Sequence, residues 1–264
     1  MSAPYAFDED TRVEAVADHR FAAAITERWN VLGGRPNGGY VMGVCLRALT
    51  RVMPLPDPLV ASAFFLRPAL PGPAEVRTAV LRSGRRVATG EATLHQEGKE
   101  TLRVTAAFSD LRRPGGRTAI LAARPALPPP EQAFDLMGGR VIPELTIGER
   151  VEYRVAAWPG WARGEPNGRP SQEFWMRFRD GREPDLLSLA SLVDAAAPPV
   201  LELGETGSAT VELTVHLRAH PAPGWLACRA TTRFVVGGYH EEDFEIWDST
   251  GALVAQSRQL ALLP

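Results

Sequence analysis

The stretch LLSLASLVDAAAPPVL, residues 186–201, contains a single ionisable side chain, the carboxyl group of Asp194. A run that is apolar around its whole circumference predicts a buried helix, which we expect from about Pro184, a residue accepted in a first turn, to Ala197. A carboxylate inside such a helix is either held by hydrogen-bond donors or poised for proton transfer. The alternative is an Asp that only caps the chain before the Pro-Pro pair, and this stretch alone leaves both interpretations open.

A second apolar helix is predicted in the first half of the chain. It follows the sequence PNGGY and runs through VMGVCLRALTRV, where Arg47 and Arg51 are the only charges and share one face. Four segments with strand-like composition follow each helix. They are 60–70, 74–84, 85–96 and 99–109 after the first helix, and 209–219, 225–236, 240–249 and 253–263 after the second.

The two halves also share short sequences at corresponding places. Leu66-Arg67 aligns with Leu217-Arg218, and Pro71-Gly72 aligns with Pro223-Gly224, at offsets that differ by one residue. A repeated order of helix and strands at a nearly constant offset indicates an internal duplication.

The duplication predicts an α+β protein built from two similar halves. Each half is expected to be an antiparallel sheet wrapped around its central apolar helix, which would explain why neither helix has a polar face. We place the halves at 1–111 and 147–264, with a Pro-rich linker at 112–146. The segment from Pro125 to Pro130 should lie on the surface without regular structure. The halves should superpose, with their sheets joined in one continuous surface and the helices outside that layer on opposite sides.

The composition excludes several classes of protein. Lys and Arg total 29 against 31 Asp and Glu, so the chain lacks the basic surface typical of nucleic-acid or membrane binding. Only Cys45 and Cys228 occur, which favours a reducing compartment without disulfides. No apolar run reaches spanning length, and the N-terminal sequence lacks the apolar core of a signal peptide. We therefore expect a cytoplasmic protein with a small ligand, without nucleic acid or membrane insertion.

Common catalytic motifs are missing from the sequence. It has no G-x-S-x-G nucleophile elbow and no Rossmann fingerprint, and Gly90, Gly98 and Lys99 lack the spacing of a P-loop. The five histidines are scattered. His216 and His220 fall in a strand and turn, where a spacing of four residues does not direct both side chains to one metal. We expect neither a metal nor another cofactor.

The glycine cluster GGRPNGGY, residues 33–40, precedes the first helix. Gly38 and Gly39 leave the first N–H groups of that helix uncovered, at the positive end of its dipole, where an oxyanion or a polarised carbonyl could bind. We therefore take Gly38, Gly39 and Tyr40 as candidate substrate-binding residues. The alternative is that the glycines only let the helix pass close to the sheet.

Two polar residues occur in apolar strand context in the second half. Thr210 begins the segment ATVELTVHL, and Gln259 lies in LVAQSRQLALL. A hydroxyl and an amide can each donate and accept, so these side chains together with Asp194 could hold one water molecule. Thr is also a favourable strand residue for purely structural reasons.

These segments, in this order, resemble the acyl-CoA thioesterase II family, in which two hotdog folds are fused in one polypeptide. The resemblance runs through PNGGYVMGVCLRAL, FFLRPALPG, LVDAAAPP, ATVELTVHLR and GALVAQSRQ. It implies a double hotdog in which Asp194, Thr210 and Gln259 bind the hydrolytic water. The family commonly has a GGQ-like motif where this chain has Gly38, Gly39 and Tyr40, a departure that concerns the acyl pocket and substrate range.

The resemblance implies hydrolysis of a fatty or related acyl-CoA to the free acid and CoA. A thioester has a good leaving group, so hydrolysis needs a positioned water and a polarised carbonyl more than a strong nucleophile. Acyl-CoA is then the expected partner, and assembly into a homo-oligomer is left open. One alternative is a catalytically silent acyl-CoA-binding protein. Another is a hotdog hydratase or dehydratase, which would need a His near the Asp, and DAAAPPV contains none.

Overall fold

A continuous antiparallel sheet of 14 strands runs through both halves of the chain, in a computed structural model that describes residues 4–113 and 115–263. In chain order the strands are β1 (Val13–Ala17), β2 (Arg20–Ile25), β3 (Asn30–Val31), β4 (Arg35–Pro36), β5 (Asp57–Phe65), β6 (Gly72–Arg82), β7 (Ala88–Gln96), β8 (Lys99–Ser109), β9 (Phe134–Asp135), β10 (Val151–Val155), β11 (Ser171–Phe178), β12 (Ala209–Leu217), β13 (Leu226–Thr231), β14 (Val235–Val236), β15 (Tyr239–Trp247) and β16 (Leu253–Leu262). The helices are α1 (Ala6–Asp10), α2 (Gly38–Leu49) and α3 (Leu186–Leu192). Strands β3 and β4 form a separate small sheet.

The order of strands in the large sheet reflects the predicted duplication. The first half runs β1-β2-β6-β7-β8-β5, and the second continues β12-β16-β15-β13-β11-β10, with β9 at the far edge and β14 beside β15. Strands that correspond in the two halves therefore lie equally far from the centre of the sheet. At the centre β5 pairs with β12, and Ser62 lies opposite Thr214. The predicted continuous surface is present, because this central pairing joins the sheets of the two halves, whereas a separate wrapping of each sheet around its own helix is not confirmed.

Side chains on the central strands alternate between a buried and an exposed face. Along β16, Ser257, Gln259 and Ala261 are buried, whereas Arg258 and Leu260 point outward. Period-two alternation of this kind is typical of an antiparallel sheet with one covered face. It puts the polar amide of Gln259 on the same face as the helices.

Helix α3 is shorter than the sequence predicted. It begins after the N-cap Asp185, whose carboxylate accepts the Ser188 N–H while the Ser188 hydroxyl accepts the Asp185 N–H, and it ends at Leu192. Asp194 therefore follows the helix and does not lie within it. The N–H of Asp194 donates to the Ser191 carbonyl, a one-turn tightening that closes the helix before the prolines.

Helices α2 and α3 pack directly against each other through glycines. A Cβ on Gly39 would lie 2.3 Å from the Ser191 carbonyl oxygen, and one on Gly43 would lie 2.4 Å from Ser191 Oγ. Because these glycines are four residues apart, they share one face of α2. The prediction of helices outside the sheet on opposite sides was wrong: they lie side by side, in contact.

All eight predicted strand segments overlap strands of the structure, but several elements were not predicted. Strands β1, β2, β10 and β11 extend the sheet at its two edges, and β9 adds a short strand from within the predicted linker. Of the segment from Pro125 to Pro130, residues 125–129 contain no helix or strand, as predicted, but a short 3₁₀ helix begins at Pro130, and Pro125 is buried where a surface position was predicted. Within residues 4–113 and 115–263, no helix is long and apolar enough to cross a membrane.

Candidate active site

Asp194 is held by the start of the helix from the other half. Its Oδ2 accepts the Gly39 N–H at 2.7 Å and the Asn37 Nδ2 at 3.0 Å. The same Asn37 Nδ2 donates to the Asp194 carbonyl oxygen at 2.7 Å, while the Asn37 Oδ1 caps α2 by accepting the Tyr40 N–H. The carboxylate of the second half is thus fixed by two groups of the first.

The environment of Asp194 suits a base that works near neutral pH. Burial raises the pKa of its carboxyl to about 6, against the opposing effect of hydrogen bonds from the Gly39 amide, the Asn37 side chain and the Gly38 amide. Among the hydrogen bonds of the described residues, none involves Asp194 Oδ1. One carboxylate oxygen is therefore anchored, and the other is left for a ligand or a water molecule.

Thr210 and Gln259 form a second polar pair, on adjacent strands. Thr210 Oγ1 donates to Gln259 Oε1 at 3.0 Å, and Gln259 is 6% exposed. With its oxygen engaged in this way, the Gln259 amide keeps Nε2 as its donor. In the described part of the chain no direct hydrogen bond joins this pair to Asp194, so the meeting of all three side chains on one water stays a prediction.

The helix start serves Asp194 and the core at the same time. Gly38 and Gly39 direct their N–H groups towards Asp194, and a Cβ on Gly38 would lie 2.8 Å from the Phe65 ring. Tyr40 is 1% exposed and stacks on Trp29 at 5.6 Å between ring centroids. Both interpretations of the glycines therefore have a basis in the structure, since they expose donors and also permit close packing.

Both halves of the chain match family models. Residues 25–109 match the acyl-CoA thioesterase N-terminal domain, and residues 121–263 match the acyl-CoA thioesterase C-terminal domain. The chain belongs to the acyl-CoA thioesterase family. The family resemblance read from the sequence, including the fused double hotdog, is confirmed.

Several known proteins are similar to this thioesterase-family chain over nearly its whole length. A candidate thioesterase II from Thermobifida fusca is 35% identical, with a TM-score of 0.89 over 100% of this chain and 99% of that one. A hotdog-fold protein of unknown function from Alicyclobacillus acidocaldarius is 24% identical, with a TM-score of 0.88 over 99% of each chain, and shows likeness of fold alone. An uncharacterised protein of Mycobacterium tuberculosis is 29% identical over 268 residues, which cover 92% of this chain and 91% of that protein.

The sequence analysis did not single out Glu242, a buried acid on β15. It lies directly opposite Gln259 of β16 and is 3% exposed. Burial raises the pKa of its carboxyl to about 8, the charge of Asp194 adds to this rise, and a hydrogen bond from Gln259 opposes it. The alternation in HEEDFEIW carried a signal, because Glu242 has the same parity as the apolar Phe244 and Ile246.

The other candidate groups in this thioesterase-family chain are structural. Cys45 and Cys228 are free, buried thiols whose pKa is raised by burial. The described residues contain no group of three or more His, Cys, Asp or Glu side chains arranged to hold a metal ion. The polar groups available for chemistry therefore centre on Asp194 and on the inner face of β12, β15 and β16.

Proposed function

We propose that the protein hydrolyses acyl-CoA thioesters by direct attack of a water molecule, with Asp194 as the general base. The observation that carries this proposal is the asymmetric setting of the Asp194 carboxylate. Its Oδ2 is fixed by the Gly39 N–H and Asn37, whereas Oδ1 is engaged by none of the described hydrogen bonds. A base with a pKa of about 6 is ionised at neutral pH and still accepts a proton from water in a transition state.

In this mechanism Thr210 and Gln259 orient the attacking water. Gln259 Nε2 donates to the water oxygen, and Thr210 Oγ1, whose own O–H donates to Gln259 Oε1, accepts a hydrogen bond from one water hydrogen. Asp194 Oδ1 removes the other hydrogen as a proton while the water oxygen bonds to the thioester carbonyl carbon. The C–S bond then breaks, the departing thiolate takes the proton from Asp194, and the products are the free acid and the CoA thiol.

We assign the segment Gly38, Gly39 and Tyr40 to substrate binding through the start of α2. The positive end of the helix dipole attracts both the Asp194 carboxylate and an oxygen that becomes negative in the transition state. Tyr40 contributes from the core, because its hydroxyl accepts the Thr26 N–H at 3.2 Å and donates to the Asp10 carbonyl at 3.1 Å. These contacts of the Tyr40 hydroxyl fix the start of α2 and so help to hold the amides of Gly38 and Gly39 in place.

The test is thiol release from a panel of acyl-CoAs of different chain lengths. We expect the parent protein to be active and Asp194→Asn, which keeps the shape but removes the basic oxygen, to lower kcat by roughly 10²–10⁴-fold. Asp18→Asn is the matched control, since that side chain is 99% exposed. A parent without activity on any acyl-CoA, or an Asp194→Asn variant as fast as the parent, would refute the proposal.

Isotope labelling tests for an acyl-Asp intermediate that is hydrolysed at its enzyme carbonyl. In a single turnover with enzyme in excess in ¹⁸O water, direct attack puts the label only into the acid product. An acyl-Asp intermediate hydrolysed at its enzyme carbonyl would leave ¹⁸O in a peptide that contains Asp194. We expect that peptide to stay unlabelled.

A further inference from the structure

We propose that Glu242 is a positioning residue of this site, a carboxyl group that keeps its proton while the enzyme works, fixes the amide of Gln259 and inhibits turnover when it ionises. This inference rests on the proposed thioesterase function.

Glu242 lies beside Gln259 on the buried face of the sheet. Leu213 of β12, Gln259 of β16 and Glu242 of β15 follow one another across the sheet in register, on the buried face. Glu242 Oε2 is buried without a hydrogen-bond partner among the described residues. The carboxyl group is thus buried beside Gln259 with one oxygen unpartnered.

The Gln259 amide has its oxygen engaged by Thr210. Its Oε1 accepts from Thr210, so the two hydrogens of Nε2 remain as donors. Glu242 lies directly opposite Gln259 on the same buried face, so in the proposal it takes one of these hydrogens and leaves the other for the attacking water. A neutral carboxyl accepts this bond on its carbonyl oxygen and still carries a proton on the other oxygen. Glu242 therefore prevents the amide from rotating away from the water.

The charged groups around Glu242 do not stabilise its ionised form. Asp194 faces it from the end of α3 and carries a like charge. On its own strand, Asp243 points to the opposite face, where it pairs with Arg258 and Arg233. His240 shares the buried face, bonds to Ser208, and has its pKa lowered by burial, so it is neutral at pH 7.

No described basic side chain therefore compensates a charge on Glu242. Asp194, by contrast, receives backbone and amide donors on one oxygen. Two carboxyl groups whose surroundings shift their pKa values by different amounts keep different protonation states at the same pH. Asp194 is then the ionised base, and Glu242 the neutral partner.

The proposal predicts a bell-shaped dependence of kcat/KM on pH. The rate rises as Asp194 loses its proton, through a pKa of about 6. It falls as Glu242 ionises, through a pKa of about 8, because a second negative charge then opposes the charge that develops on the substrate oxygen.

The experiment compares kcat/KM profiles of the parent, Glu242→Gln and Glu245→Gln, with the acyl-CoA that the parent hydrolyses fastest. Gln retains the acceptor oxygen but cannot ionise, so we expect Glu242→Gln to stay within about threefold of the parent at pH 7, with an unchanged acid limb. Its alkaline limb should vanish, giving a rate roughly tenfold above the parent one unit beyond the pKa of Glu242. Glu245 lies on the other face of β15 in an ion pair with Arg229, so Glu245→Gln should keep both limbs.

Two results would overturn the inference. One is an alkaline limb that persists in Glu242→Gln, and the other is a loss of more than about 100-fold at pH 7 in a folded variant, which is the size expected of a proton donor in the reaction. Either result, together with an Asp194→Asn variant that is impaired, refutes the role of Glu242 alone. An unimpaired Asp194→Asn refutes the proposed function itself.

A measurement on the parent alone covers the case in which Glu242→Gln fails to fold. Infrared difference spectra of the unliganded protein should contain the C=O band of a buried protonated carboxyl at pH 7 that disappears as the pH is raised through about 8. Absence of such a band at pH 7 would overturn the inference without any substrate.

Discussion

The contact between α2 and α3 predicts a large effect of adding one methyl group at Gly39. In Gly39→Ala the new Cβ would lie 2.3 Å from the Ser191 carbonyl oxygen and 2.9 Å from the Asp194 Cβ, where ordinary contacts begin at 3.4 Å. Two of these atoms belong to backbone and to a short side chain, so neither rotates away. The two helices must therefore separate by about 1 Å.

The expected magnitude follows from two opposing effects. Overpacking a buried contact costs about 1–3 kcal/mol, and replacing Gly by Ala in a helix recovers up to about 1 kcal/mol. A net loss of about 1–2 kcal/mol in the free energy of unfolding corresponds to a fall in Tm of roughly 2–8 °C for a chain of this size. Since the same shift moves Asp194 from its donors, activity should fall by about 100-fold, the effect typical of a misplacement near 1 Å.

Thermal unfolding and thiol release test this expectation on the same samples. The matched control is Gly115→Ala, because a Cβ at Gly115 meets no atom within 4 Å. Gly43→Ala should be milder than Gly39→Ala, since its Cβ would meet the Ser191 hydroxyl oxygen, which a side-chain rotation can move. A Gly39→Ala variant with the Tm and activity of the parent would refute the argument that this close approach positions the site.

Two further predictions concern the anchor of Asp194. The kcat/KM of the parent should fall tenfold per pH unit below about 6, because only the ionised carboxylate accepts a proton, and a rate independent of pH in this range would contradict its role as base. Asn37→Ala removes both the cap of α2 and a donor to Asp194, so urea unfolding should show a loss of about 1 kcal/mol. The acid limb of its activity should move to higher pH, and an unmoved limb would show that Asn37 does not stabilise the charged carboxylate.

Much of the architecture could be predicted because its signals are local. The apolar runs that became α2 and α3, and the alternating segments that became the eight central strands, are each contained in about ten neighbouring residues. The duplication and the family resemblance also follow from the order of segments along the chain. Asp194, Thr210 and Gln259 could be singled out for the same reason, since each is a polar group in an apolar local context.

The features that sequence reasoning missed depend on contacts between distant residues. The side-by-side helices depend on glycine contacts that no periodicity reveals. Asn37 reaches Asp194 across 157 positions of the chain, and Glu242 becomes a buried neutral acid only where β15 lies beside β16. The sequence by itself determined which segments are helices and strands and which polar residues they carry. Only the tertiary structure decided which of these groups meet and which keep their protons, because desolvation and hydrogen bonding depend on neighbours that folding brings together.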